Sequence, residues 1–317
     1  MQFRTVLPIE ISGFWEQNKI EYSSKLLLLG SCFAENIGAK FDYFKFKHTI
    51  NPFGIIFNPV SIEKLIERVV SKNYYKEEDI FFYNDLWHCF EVHSELSNPN
   101  KEDFLIQLNQ IIEQSNHQII NTTHFQITYG TSWVYRNIES NKIVANCHKV
   151  PQKQFVKELL TVDDIQKSIQ NTITLVKKIN TNCKFIFTIS PVRHIKDGFV
   201  ENSVSKSHLI SAIHSNNQQS TTYFPSFEIM MDELRDYRFY TQDMLHPNQT
   251  AIDYIWKRFS ENYISKDSFK IMEEVDSIQK SLLHKSFNPD SDSHKKFLFN
   301  LDKKIAQLKL QIPHFQF

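Results

Sequence analysis

Glycine is scarce in this chain, with six residues in 317, and the four cysteines (Cys32, Cys89, Cys147 and Cys183) lie far apart. No CxxC pair is present, so neither a zinc site nor a disulfide framework is indicated, and the cysteines read as reduced thiols of a cytoplasmic protein. Neither sign of charge is in surplus: Lys plus Arg equals Asp plus Glu, 36 each. Without a basic run, nucleic acid and an acidic membrane surface are excluded as main partners. No apolar stretch approaches the ~20 residues of a spanning helix. The opening MQFRTVLPIEISGFWEQ lacks a basic segment followed by a long apolar one, so no secretory signal is expected. No internal repeat or low-complexity linker is found.

What the chain has in quantity is apolar and aromatic material. Hydrophobic residues make up 41% and aromatics 14%, with 27 phenylalanines, enough for a large core. Short apolar runs alternate with segments of helical period. KLLLLG (25–30) has no polar alternation, as suits a strand buried on both faces of a parallel sheet. SCFAENIGAKFDYF places Phe33, Ile37, Phe41 and Phe44 at near-helical spacing. Further strands are predicted in DIFFYNDLWHCFEV, HFQITYGTSWVYR, KIVANCHKVP, CKFIFTISPVRH and STTYFPSFEIMMDEL. Helices are predicted in SIEKLIERVVSK, KEDFLIQLNQIIEQSNHQI, VDDIQKSIQNTITLVKKIN, SKSHLISAIHSNN and HPNQTAIDYIWKRFSENYI. This alternation predicts a three-layer α/β/α sandwich over residues 1–265. Residues 266–317 read as a separate helical extension: two polar helices (268–284 and 293–311) split by SFNPDSD, packed on the sandwich or used for self-association.

Two segments carry chemistry. In KLLLLGSC a buried strand ends in Gly30-Ser31 before a helix, which puts Ser31 at the carboxyl edge of the sheet, where open α/β folds bind ligands. Ser31 could equally be a helix N-cap, although Ala34 rather than Glu stands where a capping box needs an acid. A serine nucleophile needs a base oriented by a carboxylate. DMLHP supplies one: Asp243 and His246 are three apart, before Pro247 and a helix, so the carboxylate can hold one imidazole nitrogen and leave the other free. Arg193 and His194 follow the strand FIFTIS at the same edge and could contact an acyl or anionic group. His148 and Lys149 are comparable candidates, Trp87, His88 and Trp133 could form a substrate wall or core, and Asp232, Arg235, Asp236 and Arg238 suggest a charge network before Asp243.

The early Gly-Ser-helix and late DxxHP resemble the SGNH (GDSL-like) hydrolase superfamily. The segment Gly30-Ser31-Cys32-Phe33-Ala34 is similar to the motif that names its GSCFA branch, together with NPFGIIFNP, YGTSWVY, ANCHKVP, SPVRH and LRDYRFYTQDMLHP in order. The resemblance spans roughly residues 20–260 and implies about five parallel strands, Ser31 as nucleophile, His246 as base, Asp243 as its partner, and no metal or organic cofactor. It also implies an oxyanion hole made by the serine N–H, a loop glycine and an asparagine. Gly54 fits the glycine, but Gly130-Thr131-Ser132 stands where Gly-x-Asn is expected, so Asn146, or the hydroxyls of Thr131 and Ser132, must substitute; a carboxamide is the better-directed donor. The expected activity is hydrolysis of a small acyl ester, such as an O-acetylated sugar or glycan, or acyl transfer to another hydroxyl. A Cys32 nucleophile and a non-catalytic binding protein on the same fold are the alternatives.

Overall fold

The computed structural model describes residues 6–216 and 218–317. Ten strands are present among them: β1 (Lys25–Gly30), β2 (Lys47–Ile50), β3 (Phe81–Tyr83), β4 (Leu86–His88), β5 (His124–Tyr129), β6 (Trp133–Asn137), β7 (Ile143–Val144), β8 (Phe155–Leu159), β9 (Lys184–Ile189) and β10 (Thr221–Phe224). Five of them form the central sheet, all parallel, in the order β10-β9-β5-β1-β2. The order reverses between β1 and β5. In a doubly wound sheet such a switch point opens a crevice at the carboxyl ends of the two strands.

The leucine run explains why β1 is central. Leu26 and Leu28 pack with Phe33, Ile37 and Phe41 of the helix Cys32–Tyr43 and with Trp256 and Phe259 of the helix Gln249–Tyr263. Leu27 and Leu29 pack on the other face, with the helices Pro59–Val70, Lys101–Asn121 and Val162–Ile179. A strand with apolar side chains on both faces is stable only between two helical layers, and the three-layer arrangement follows.

The strand of the central sheet missing from the sequence reading is β2, whose KHTI is mostly polar, partly exposed and at the sheet edge, where lysine is common. Two further departures lie outside the central sheet. KIVANCHKVP yields only the two-residue β7: past Val144 the Ala145 N–H turns to the Phe90 carbonyl at 2.7 Å, and His148 (φ 49°) and Lys149 (φ 60°) then adopt left-handed backbone. β8 was not anticipated and joins β6 and β7 in a small antiparallel sheet, order β7-β6-β8. DIFFYNDLWHCFEV gives the hairpin β3–β4. Beyond the sandwich, the helices Lys266–Leu282 and Asp292–Gln311 bury Met272, Val275, Ile278, Leu301 and Leu308 in the same core as Trp256. No helix of the described residues is long and apolar enough to cross a membrane.

Candidate active site

The chain leaves β1 at Gly30 with φ 139°, and a Cβ there would stand 2.2 Å from the Thr128 carbonyl oxygen, so only glycine permits this close crossing of β5. Asn51, from the NPFG segment, fixes the crossing. Its Oδ1 accepts from the Gly30 N–H at 2.9 Å and its own N–H donates to the Leu28 carbonyl at 2.9 Å. Ser31 follows, 2% exposed, with extended backbone. It is the N-cap of the helix Cys32–Tyr43: Oγ accepts from the Phe33 N–H at 3.2 Å. The capping and nucleophile readings are compatible. The cap uses a lone pair of Oγ and leaves its proton available, while the helix N-terminus favours negative charge on that oxygen.

Asp243 and His246 meet as the spacing predicts. Asp243 Oδ2 bonds His246 Nδ1 at 2.6 Å, and Oδ1 accepts from Thr241 Oγ1 (2.6 Å), the Leu245 N–H (2.8 Å) and the His246 N–H (3.0 Å). These donors, Thr241 first, hold the carboxyl well below the usual carboxylate range. The Asp243 carboxylate on Nδ1 favours the tautomer that carries its proton there and leaves Nε2 unbonded among the described residues. The turn is tight: Met244 takes φ 58°, the Thr241 N–H donates to the His246 carbonyl at 2.8 Å, and Tyr240 bridges Pro247.

Ser31 and His246 line one cleft of about 480 Å³ at the switch point, with walls that include Phe57, Trp133, Tyr135, Val192 and Leu245. Among the described residues, Ser31 Oγ has the Phe33 N–H as its hydrogen-bond partner, and no bond joins it to His246. The other expected residues separate. Asn146 lines the cleft; its Oδ1 accepts from the His148 N–H at 2.8 Å, which orients the amide, and its NH2 has no acceptor among the described residues. Gly54 does not line the cleft, and its N–H is spent on the Asn51 carbonyl at 2.7 Å. The Ser31 N–H is likewise spent on the Thr128 carbonyl at 3.0 Å. Thr131 lines the cleft and shares a 2.8 Å hydroxyl bond with Ser205, whereas Ser132 is fully buried, lies outside the cleft lining and donates its hydroxyl to the Ser205 carbonyl at 3.0 Å.

Arg193 and His194 both line the cleft. Burial, with the Lys206 and His246 charges, pushes the His194 imidazole down to about 3, so the ring is neutral, and its Nε2 is buried without a partner among the described residues. Trp133 lines the cleft; His88, His148 and Lys149 instead line a neighbouring cavity of about 330 Å³ that shares Asn146 with it. Trp87 packs against Phe82 with the rings tilted by 55° and lies in neither. The expected charge network reduces to one exposed pair, Arg238 with Asp236 at 3.3 Å. Cys32 and Cys147 also line the cleft, but burial raises both thiols, Cys147 to about 11, so neither is a ready thiolate.

Sequence reasoning missed Lys206. Its side chain is 1% exposed, and Nζ donates to the carbonyls of Gly130 and Ser190, each at 2.7 Å, just past β5 and β9. Burial pushes its amine down to about 7. SKSHLISAIH carries no signal for this, because a lysine on a helical face ordinarily reads as solvated.

The sequence model of the GSCFA family matches residues 25–259, and that of the GSCFA domain protein, C-terminal domain, matches residues 275–317. The chain therefore belongs to the GSCFA family. No curated protein matches it. Among solved structures, a carbohydrate esterase family 3 protein from Talaromyces cellulolyticus is similar over 79% of this chain and 99% of its own, at 8% identity and a TM-score of 0.36. That likeness is too slight to carry an argument about function.

Proposed function

We propose that the chain is a serine esterase of SGNH type, acting through an acyl-enzyme on Ser31. The observation that carries this reading is the sharing of one cleft, at the switch point of the sheet, by Ser31 and a histidine already paired to an ionised Asp243. Ser31 Oγ attacks the ester carbonyl while His246 Nε2 takes its proton; Asp243 holds the imidazole and stabilises the imidazolium. His246 then protonates the leaving alcohol, and water repeats the sequence to release the acid. With the Ser31 and Gly54 N–H groups spent, the oxyanion donors are the Asn146 NH2 and the Cys32 N–H, which meets no oxygen acceptor among the described residues. Closure of the turn 241–247 onto the bound ester brings Nε2 to Oγ; such hydrogen bonds often tighten only with substrate.

The substrate in this reading is a small acyl ester, such as an O-acetylated sugar, and an acceptor hydroxyl in place of water makes the same site an acyltransferase. Residues 1–265 form the catalytic unit, with 266–317 as its helical extension, and four unpaired thiols suit action in the cytoplasm. A second reading, a binding protein on this fold, is favoured by the open Ser31–His246 contact and the spent Ser31 N–H. A fluorophosphonate probe and p-nitrophenyl acetate distinguish the two. Labelling and turnover lost in Ser31→Ala and kept in Cys32→Ala are expected. A wild-type protein that neither labels nor turns over is the binding protein.

A further inference from the structure

We infer that Arg193 is a positioning residue that staples the turn carrying Asp243 and His246 to the sheet edge. The inference rests on the esterase reading for its catalytic meaning, but its geometry stands alone. The two residues between the aspartate and the histidine each offer a carbonyl, and Arg193 takes both. Its backbone N–H donates to the Leu245 carbonyl at 3.2 Å and its Nη1 to the Met244 carbonyl at 3.3 Å. Among the described residues, no other hydrogen bond reaches residues 241–247 from outside the segment 237–248.

The need for an external tie follows from the turn itself. Met244 is a non-glycine residue in left-handed backbone, a conformation that persists only where its surroundings enforce it. Arg193 enforces it from a firm base. It stands four residues past the end of β9, within the segment Val192–His194, whose ends are tied by Val192 N–H to Ser190 Oγ (3.3 Å) and His194 N–H to Asn202 Oδ1 (2.9 Å). The guanidinium lies among three aromatic rings, Phe199 at 5.5 Å and Tyr237 and Tyr240 at 5.8 Å each. No carboxylate pairs with it among the described residues, so carbonyl oxygens and ring faces account for its contacts. Two of those rings belong to the segment that leads into the turn, so the stacking and the hydrogen bonds pull in the same place.

The test compares wild type, Arg193→Met and Arg193→Lys on an uncharged ester, p-nitrophenyl acetate, and an anionic one, p-nitrophenyl hemisuccinate. The Met variant keeps a flexible apolar side chain among the rings and removes the Nη1 bond. Stapling predicts that kcat falls roughly tenfold on both esters, the loss expected for one charge-assisted hydrogen bond at an exposed site, with KM within about twofold. Lys, which keeps a donor, recovers part of it. A KM increase confined to the anionic ester overturns the inference and makes Arg193 a substrate-binding residue; unchanged kcat on both also overturns it. Proton NMR of the free protein supplies a readout that needs no turnover. The downfield Nδ1–H resonance of the His246–Asp243 bond should be sharp in wild type and broadened or absent in Arg193→Met. If wild type hydrolyses no ester, the esterase reading falls while the NMR comparison still decides the staple; an identical resonance in both proteins refutes it.

Discussion

Ser31 stands 2% exposed at the end of a strand buried on both faces, whereas Asp243 and His246 have side chains 44% and 45% exposed in a surface turn. The serine is held by what surrounds it: a glycine that lets two backbones touch, an asparagine that bonds both sides of the crossing, and a helix that begins on its hydroxyl. The acid–base pair is held mainly by its own turn, with four hydrogen bonds on one carboxylate and a single neighbour, Arg193, reaching in. A nucleophile needs one fixed position, and burial provides it. A base needs an ionised, oriented partner, and hydrogen bonds at the surface provide it, so burial holds one half and local hydrogen bonding the other.

Breaking the buried half should have the largest consequences. Ser31→Ala should lower kcat by about 1,000-fold or more, while the lost cap costs only about 1 kcal/mol in urea unfolding. Activity and stability thus separate at one atom. Gly30→Ala should destabilise by at least about 3 kcal/mol, because the new Cβ meets backbone that cannot yield. In the exposed half, Asp243→Asn should cost at least about 100-fold in kcat through the wrong imidazole tautomer, with a smaller change in the urea midpoint than Gly30→Ala gives.

Acid should separate the halves further. His194 is neutral in the fold down to about 3, whereas an unfolded imidazole takes its proton near pH ~6.5. The unfolded state therefore binds protons first, and stability falls as pH drops from that value toward 3; His124 and His148, held down to about 4, add to the loss. Asp243 has the same sign in a lower window: it too lies below its unfolded value, so its contribution persists down to the ordinary carboxylate range and is lost below it. Urea titrations of His194→Gln should show a shallower slope between pH ~6 and ~4. The smallest effect sought is at the alkaline end. With its amine near 7 against ~10.4 unfolded, Lys206 makes stability rise between those values, and Lys206→Met should remove that slope.

The central layers were legible because they depend on side-chain pattern. KLLLLG and FIFTIS have no polar alternation, and the helices around them keep a clean apolar stripe. β2 was hidden because a four-residue edge strand with only Ile50 apolar carries no such pattern, and β8 because KQFVKEL alternates only weakly. Within the site, the Asp243–His246 contact could be read from spacing, since three residues in a turn leave little freedom. The oxyanion donors could not. Whether the N–H of Ser31, Gly54 or Cys32 is free depends on the carbonyls of Thr128 and Asn51, which no side-chain pattern reports. Lys206 stayed hidden for a similar reason: its partners are main-chain oxygens 76 and 16 residues away.

The double use of Ser31 Oγ, as cap and as proposed nucleophile, has an evolutionary consequence. Folding asks only for a short side chain with an oxygen that can accept from the Phe33 N–H, and aspartate, asparagine or threonine can meet that demand. Chemistry alone asks for serine. A lineage released from catalysis could therefore change this residue and keep its sheet, its cleft and its Asp–His turn intact, so the step from enzyme to receptor on this scaffold is one substitution with little cost in folding.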